Sequence, residues 1–298
     1  MSETILGFDP SKLNIITTTF YRRWVPAQFQ WRSGAQVTPE VVDKVRGDLA
    51  IQMISKASEK GVRTIVVDGV NNRPFRQALE RQNVFIFDET DKGMSASKQQ
   101  GYRIAQVMPD MVANLWTEPE KVSIAEDCLD PLMTPIFTGE ADIVIPLRGA
   151  ESFSTYPDFQ ADIEQESNRL WNALLKAEGI IPYEHPGFDN WFGPRGWHKD
   201  ITGLFIKKYK STDPDVKLIK PEEYGNALHF PVITALIEGK RVISVQVPFR
   251  YPEIQKAIEE DSLEFRAKRK YQQESILETT KEFLALLRSE QSRLVAVS

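Results

Sequence analysis

The sequence predicts an α/β protein built on a mostly parallel sheet flanked by helices. Three observations carry that prediction. Short β-branched, apolar runs recur through the first half of the 298-residue chain. Helical patterns fall between them. No internal repeat or low-complexity linker interrupts the alternation. Strands alternating with helices favour parallel pairing, with helices packed on both faces.

Residues 14–20 are β-branched and apolar almost throughout, so they read as a buried strand. Residues 47–61 place Leu49, Ile51, Met53, Ile54 and Ala57 on a broad helical face and stop at Gly61. Residues 63–70 form the next strand, ending in a turn. Residues 74–82 form a short helix with Pro74 at its start. A strand over 84–89, a helix over 95–108 and a strand over 113–118 follow. In the second half, 141–148 is a strand and 158–178 a long helix. Residues 185–200 read as a loop rich in Gly, Pro and aromatics. A helix spans 222–238, 241–249 is a late strand, and the tail over 253–290 is one charged amphipathic helix or a pair. The expected organisation is a body over 1–252 and a C-terminal helical tail over 253–298. The tail's Ile254, Ile258, Phe265, Ile276, Phe283 and Leu287 are expected to dock on the body or on a second copy in a homodimer.

Composition narrows the function. Apolar residues make up 41% and charged residues 27%, as in an ordinary globular protein. A net charge of −5 gives no electrostatic case for nucleic acid. A single cysteine, Cys128, rules out an internal disulfide framework; it suits a reducing cytoplasm and reads as a small core filler. The opening residues show no basic segment followed by an apolar core, so no signal peptide is expected. No stretch approaches the roughly 18 apolar residues that span a bilayer. A cytoplasmic protein is expected.

Parallel sheets of this kind bind ligands at the carboxyl ends of their strands. The polar residues closing each strand are therefore the first candidates: Thr18, Thr19, Asp68, Asn71, Asp88, Glu118 and Glu120. Glu118-Pro119-Glu120 stands out. If the segment is extended, residues two apart leave the same side, and the pair suits a hard cation such as Mg²⁺ or Mn²⁺ that also holds a diphosphate. Asp68 is placed to accept hydrogen bonds from a ribose or base. The loop with Lys92 and Gly93 leads into a helix start at Ser95 to Ser97, where backbone N–H groups attract phosphate and Lys92 and Lys98 add positive charge. The 185–200 segment packs His185, Asp189, Asn190, Trp191, Arg195, Trp197, His198 and Asp200 together. Its Trp faces suit sugar rings, Arg195 suits a phosphate or carboxylate, and His198 is a third candidate metal ligand beside the Glu pair. Arg148 follows a strand end, and Glu164 lies one turn from Asn168 on a helix; both are candidates for the diphosphate or the sugar hydroxyls. His185 and His229 read as surface or core histidines. Lys268-Arg269-Lys270 reads as a solvated helix face.

In this order the segments resemble the inverting family 2 glycosyltransferases and their relatives with the GT-A fold. Asn14-Ile-Ile-Thr-Thr-Thr-Phe-Tyr resembles the family's opening strand, and Ile65-Val-Val-Asp68 its strand ending in an Asp for the nucleotide. The Lys92-to-Gln106 segment resembles the helix start that precedes the metal strand. Trp116-Thr-Glu-Pro-Glu-Lys121 stands where the family carries Asp-x-Asp, and Phe188-to-Trp197 stands where an acceptor-side segment is expected. The match runs in order over residues 14–250, with Glu-Pro-Glu replacing Asp-x-Asp and Lys98 replacing an Asn.

The resemblance implies a GT-A-like nucleotide-diphospho-sugar transferase fold, a nucleoside-diphosphate sugar as partner, an unidentified acceptor, and a divalent metal, Mn²⁺ or Mg²⁺, with no flavin or nicotinamide. It implies a glycosyltransferase in which Asp189 or Asp200 deprotonates the acceptor hydroxyl. Two alternatives share the scaffold: a nucleotide-sugar mutase that interconverts pyranose and furanose forms, and a catalytically silent sugar-nucleotide-binding protein.

Overall fold

The computed structural model describes residues 7–29, 36–70, 72–90, 92–209 and 224–296. Among these, seven strands form one sheet: β1 (Leu13–Thr19), β2 (Arg63–Asp68), β3 (Val84–Asp88), β4 (Ala113–Trp116), β5 (Ile143–Arg148), β6 (Arg195–His198) and β7 (Val242–Val247). Their order is β3-β2-β1-β4-β6-β5-β7. Neighbours are parallel except around β6, which runs antiparallel to both β4 and β5. The expected α/β architecture is present. One difference is β6, a strand within the segment expected to be a loop, and another is a helix over Leu129–Phe137, where none was expected.

The helices are α1 (Pro39–Glu59), α2 (Arg73–Leu79), α3 (Met94–Val107), α4 (Leu129–Phe137), α5 (Ala150–Ser154), α6 (Asp158–Ala177), α7 (Thr202–Ile206), α8 (Tyr224–Ile237), α9 (Glu253–Glu259) and α10 (Leu263–Ala296). α1 begins two turns before the expected helix. Thr38 caps it by accepting from the Val41 N–H, and Pro39 occupies the first position. It ends beside Gly61, whose φ of 77° suits a residue without Cβ.

Strand alternation builds a core on each face of the sheet. Leu13 and Ile15 of β1 pack with Leu49, Met53 and Ile54 of α1 and Leu132 of α4. Ile16 joins the other face, with Tyr102 of α3, Trp197, Phe230 of α8 and Phe283 of α10. Each such side chain contributes about 1.5–3 kcal/mol on burial. Cys128 lies in the first core, and burial pushes its thiol up to about 12.

The tail is a pair of helices. α10 packs on α6 and α8, with Ile276, Phe283, Leu284 and Leu286 buried. No helix among the described residues is long and apolar enough to cross a membrane.

Candidate functional site

β1, β2 and β3 finish side by side: Thr19 stands opposite Asp68, and Asp68 opposite Asp88. Parallel pairing delivers these ends to one edge of the sheet. At that edge lies a cavity of about 370 Å³. Thr18, Tyr21, Trp116 and the Glu118-to-Lys121 turn line its sheet side, with Met94 and Lys98 from the first turns of α3. Arg46 of α1, Glu164 of α6, Trp191 and His229 of α8 line the flanks. Tyr251, Gln255 and, from α10, Phe265, Lys268, Arg269 and Gln272 close the other side. The tail is thus a wall of the cavity.

The lining is charged. Lys98 is 3% exposed; its Nζ donates to the Met94 carbonyl at 3.2 Å and sits 4.9 Å from the Trp116 ring centre. Burial lowers the Lys98 pKa to about 8, against a smaller opposing pull from Glu118. Lys121 Nζ is 3.9 Å from the Glu118 carboxylate. Glu118 lies so close to Gly193 that a Cβ there would overlap its carboxylate, which explains a residue without a side chain at 193. Glu120 Oε1 accepts the Tyr21 O–H at 2.9 Å, and burial followed by the Glu120 charge raises the Tyr21 pKa. Arg46 contacts Glu259 at 2.7 Å and feels the Glu120 charge. Arg269 stands 4.0 Å from Glu164. Five cationic side chains and three carboxylates line the cavity, an excess of two positive charges.

Several expected site residues lie elsewhere. β4 ends at Trp116, so Glu118 and Glu120 occupy a turn closed by the Lys121 N–H on the Glu118 carbonyl at 3.2 Å, and strand alternation does not pair them. Both still line the cavity. His198 is at the opposite end of β4: it pairs with Ala113, the strand's first residue, whereas Trp116 pairs with Arg195. It cannot share an ion with the Glu pair. Asp200 sits beside it, 84% exposed and 3.5 Å from His198 Nδ1. Asp189 is buried away from the cavity. Its carboxylate accepts from Arg148 Nε at 2.7 Å, Arg148 Nη2 at 2.8 Å and Asn168 at 2.6 Å. Burial pushes its pKa up, but Arg148 outweighs that and holds it below the usual carboxylate range. A carboxylate locked in this way is a poor base for an acceptor.

Arg195 is also internal, and donates to the carbonyls of Asn190 at 2.5 Å, Phe192 at 2.5 Å and Gly193 at 2.9 Å. It holds the 190–194 segment rather than a ligand. Arg148 is buried behind Glu164 and paired with it. Lys92 is exposed, and Ser97 turns inward to the Gly93 carbonyl at 2.8 Å and to Glu89. Asp68 lies at the strand end, accepting the Thr19 O–H at 3.1 Å. Thr18 and Glu164 reach the cavity. Asn71 lies outside the described residues. Among the described residues, no group of three His, Cys, Asp or Glu is placed to hold a metal ion.

The cavity also contains residues that sequence reading assigned elsewhere. His229 lines it: burial, then Arg195 and Lys98, hold its pKa well below the ordinary value, so the ring is neutral, and its Nδ1 contacts the Asn190 amide. Lys268 and Arg269, expected on a solvated face, line it too. Lys98 was expected at this helix start, and Met94 stands four residues before it on the same face. Nothing local marked Arg46.

Neither a protein-family model nor a curated protein matches the sequence. Solved structures do match in fold. Glucosyl-3-phosphoglycerate synthase from Mycobacterium tuberculosis superposes with a TM-score of 0.54 at 9% identity, covering 92% of this chain and 81% of that one. The same enzyme in complex with Mn²⁺, uridine diphosphate and glucosyl-3-phosphoglycerate gives 0.52 at 9% identity, over 92% of this chain and 80% of that one. The fold is GT-A-like, that of the nucleotide-diphospho-sugar transferases.

Proposed function

We propose that this protein is a nucleotide-sugar enzyme, a glycosyltransferase that moves a sugar from a nucleoside-diphosphate sugar to an acceptor hydroxyl. One observation carries the reading: the cavity at the carboxyl ends of β1 and β4 is lined by an excess of two positive charges and by the side chains of Trp116 and Trp191. That combination suits a ligand with two phosphates and a sugar ring. The mycobacterial enzyme of the same fold binds uridine diphosphate and a glucosylated product.

The roles follow from position. Thr18 and Asp68, at adjoining strand ends, suit the nucleoside. The indole of Trp191 suits the sugar; that of Trp116 is buried and covered by Lys98. The proton acceptors lining the cavity are Glu118, Glu120, Glu164 and the neutral His229. Glu164 is engaged by Arg148 and Gln160, and Glu120 by Tyr21. Of these, Glu118, in the turn after β4, is assigned to receive the acceptor's proton, and His229, whose burial and cationic neighbours disfavour a proton on the ring, is not.

The mycobacterial enzyme carries Mn²⁺, and a divalent metal is the expected companion of a diphosphate on this fold. A protein-held Mn²⁺ or Mg²⁺ takes several oxygen ligands. Here Glu118 stands beside Lys98 and Lys121, Glu120 takes the Tyr21 hydroxyl and the Arg46 charge, and His198 is at the other end of β4. This donor set does not fit a resident ion, and no catalytic step is assigned to one.

Incubation with a panel of nucleotide sugars and candidate acceptors tests the reading by mass spectrometry. Release of nucleoside diphosphate with a glycosylated acceptor is expected. An isomer of unchanged mass indicates the mutase alternative, and an unaltered panel refutes catalysis.

A further inference from the structure

We propose that the diphosphate is held by side-chain cations from both walls of the cavity, with no protein-bound metal ion: Lys98 and Lys121 from the sheet side, and Arg46, Lys268 and Arg269 from α1 and α10. The inference rests on the nucleotide-sugar reading above.

Three observations support it. First, Lys98 is almost wholly buried yet lines the cavity, and its position over Trp116 directs the ammonium there. Burying a lysine is costly unless a counter-charge compensates it, and Lys121 is already drawn to the same carboxylate, Glu118. Lys98 and Lys121 thus bring two ammonium groups to the sheet side of the cavity. Second, Arg46, Lys268 and Arg269 crowd together across the cavity. Apart from burial, the largest pulls on the Lys268 pKa are downward ones from Arg46 and Arg269, which places the three within each other's field. Their acidic neighbours Glu259, Glu164 and Glu120 offset part of this charge, and with Glu259, Arg46's partner outside the lining, counted in, the site keeps a net positive charge of one. A nucleoside-diphosphate sugar is anionic, and the five lining cations can meet its phosphates from both walls. Third, the carboxylates where a metal would sit are matched to protein cations, as the donor set shows.

The arrangement gives α10 a task. Lys268 and Arg269 come from the tail, so the phosphate site is complete only when α10 lies on α6 and α8.

The test is calorimetry of the full chain with uridine and guanosine diphosphates, in excess chelator and in Mn²⁺. At least one should bind, with affinities in the two conditions within about threefold. Lys98→Met, checked for an intact fold by its thermal midpoint, should lose at least about tenfold in chelator, the scale of one charge-assisted hydrogen bond. Lys268→Met, on the exposed side of α10 and checked in the same way, should also weaken binding, by a few-fold. Binding seen only with Mn²⁺ overturns the inference and leaves the nucleotide-sugar reading standing. Wild-type affinity in both variants overturns it as well. Absence of binding in every condition removes both.

Discussion

Two charge clusters meet at Glu164, which pairs with Arg148 in one and lines the cavity of the other, and they behave differently. In the first, Arg148 is wholly enclosed between Asp189 and Glu164, whose side chains are 2% and 4% exposed. Asn168 and Gln160 complete the shell. Donors and acceptors match there, and the result is a clamp joining β5, α6 and the segment before β6. In the second cluster, Lys98, Lys121, Glu118, Glu120 and Arg46 face open space, with cations in excess. The difference separates structure from recognition. A cluster whose charges close on each other holds the fold, and one that leaves charge facing a cavity is made for a ligand. The residues are of the same kinds in both, so residue type could not tell them apart.

The largest effect should come from breaking the closed cluster. Asp189→Ala leaves Arg148 buried beside a single carboxylate, and urea denaturation should show a loss of about 3–5 kcal/mol. A loss below about 1 kcal/mol would show that the clamp is not structural.

The open cluster should respond in the opposite sense. Lys98→Met removes a buried ammonium and should raise stability at pH 7 by about 1–3 kcal/mol while weakening nucleotide binding. The pH dependence has a definite sign. The folded pKa of Lys98, about 8, lies below the ordinary 10.5. Between these values the unfolded chain holds the proton more tightly, so the wild type gains stability as pH rises through that window. The variant should lack this gain in parallel thermal scans.

Glu118→Gln sharpens the comparison further. It removes a carboxylate from the lining and increases the positive excess, so nucleoside diphosphate affinity in chelator should stay equal or tighten by up to about fivefold. A collapse confined to binding in Mn²⁺ would instead mark Glu118 as a metal ligand. The smallest effects should come from the far end of the sheet. His198→Ala and Asp200→Asn should leave nucleotide affinity unchanged and shift stability by no more than about 0.5 kcal/mol.

Much of the scaffold was legible in the sequence. The β-branched runs gave β1, β2 and β3, and the tail's periodicity anticipated Ile276 and Phe283 in the core. β6 escaped because Arg195-Gly-Trp-His is short and two of its four residues are charged or titratable; its pairing is made by β4 and β5, not by its own pattern. The two opening turns of α1 were readable from Thr38-Pro39, the capping residue and first-turn proline. β4 was read two residues too long, because the Glu118-Pro119-Glu120 turn follows directly on the strand. The site was legible only at its sheet side. Thr18, Glu118 and Glu120 follow from the strand-end rule, and Glu164 was singled out on its helix. Arg46, His229, Lys268 and Arg269 reach the cavity through helix packing, which no local pattern encodes. Asp189 and Arg195 read as functional because buried structural networks and active sites draw on the same side chains.

The most direct measurement of the nucleotide site is a crystal structure of the protein soaked with the nucleoside diphosphate that calorimetry selects. The diphosphate is expected in the cavity with an oxygen about 2.7–3.2 Å from Lys98 Nζ, between the Trp116 side and α10. Nucleotide bound at the His198 end of the sheet, or a diphosphate reached only through an ion held by Glu118 and Glu120, would contradict it.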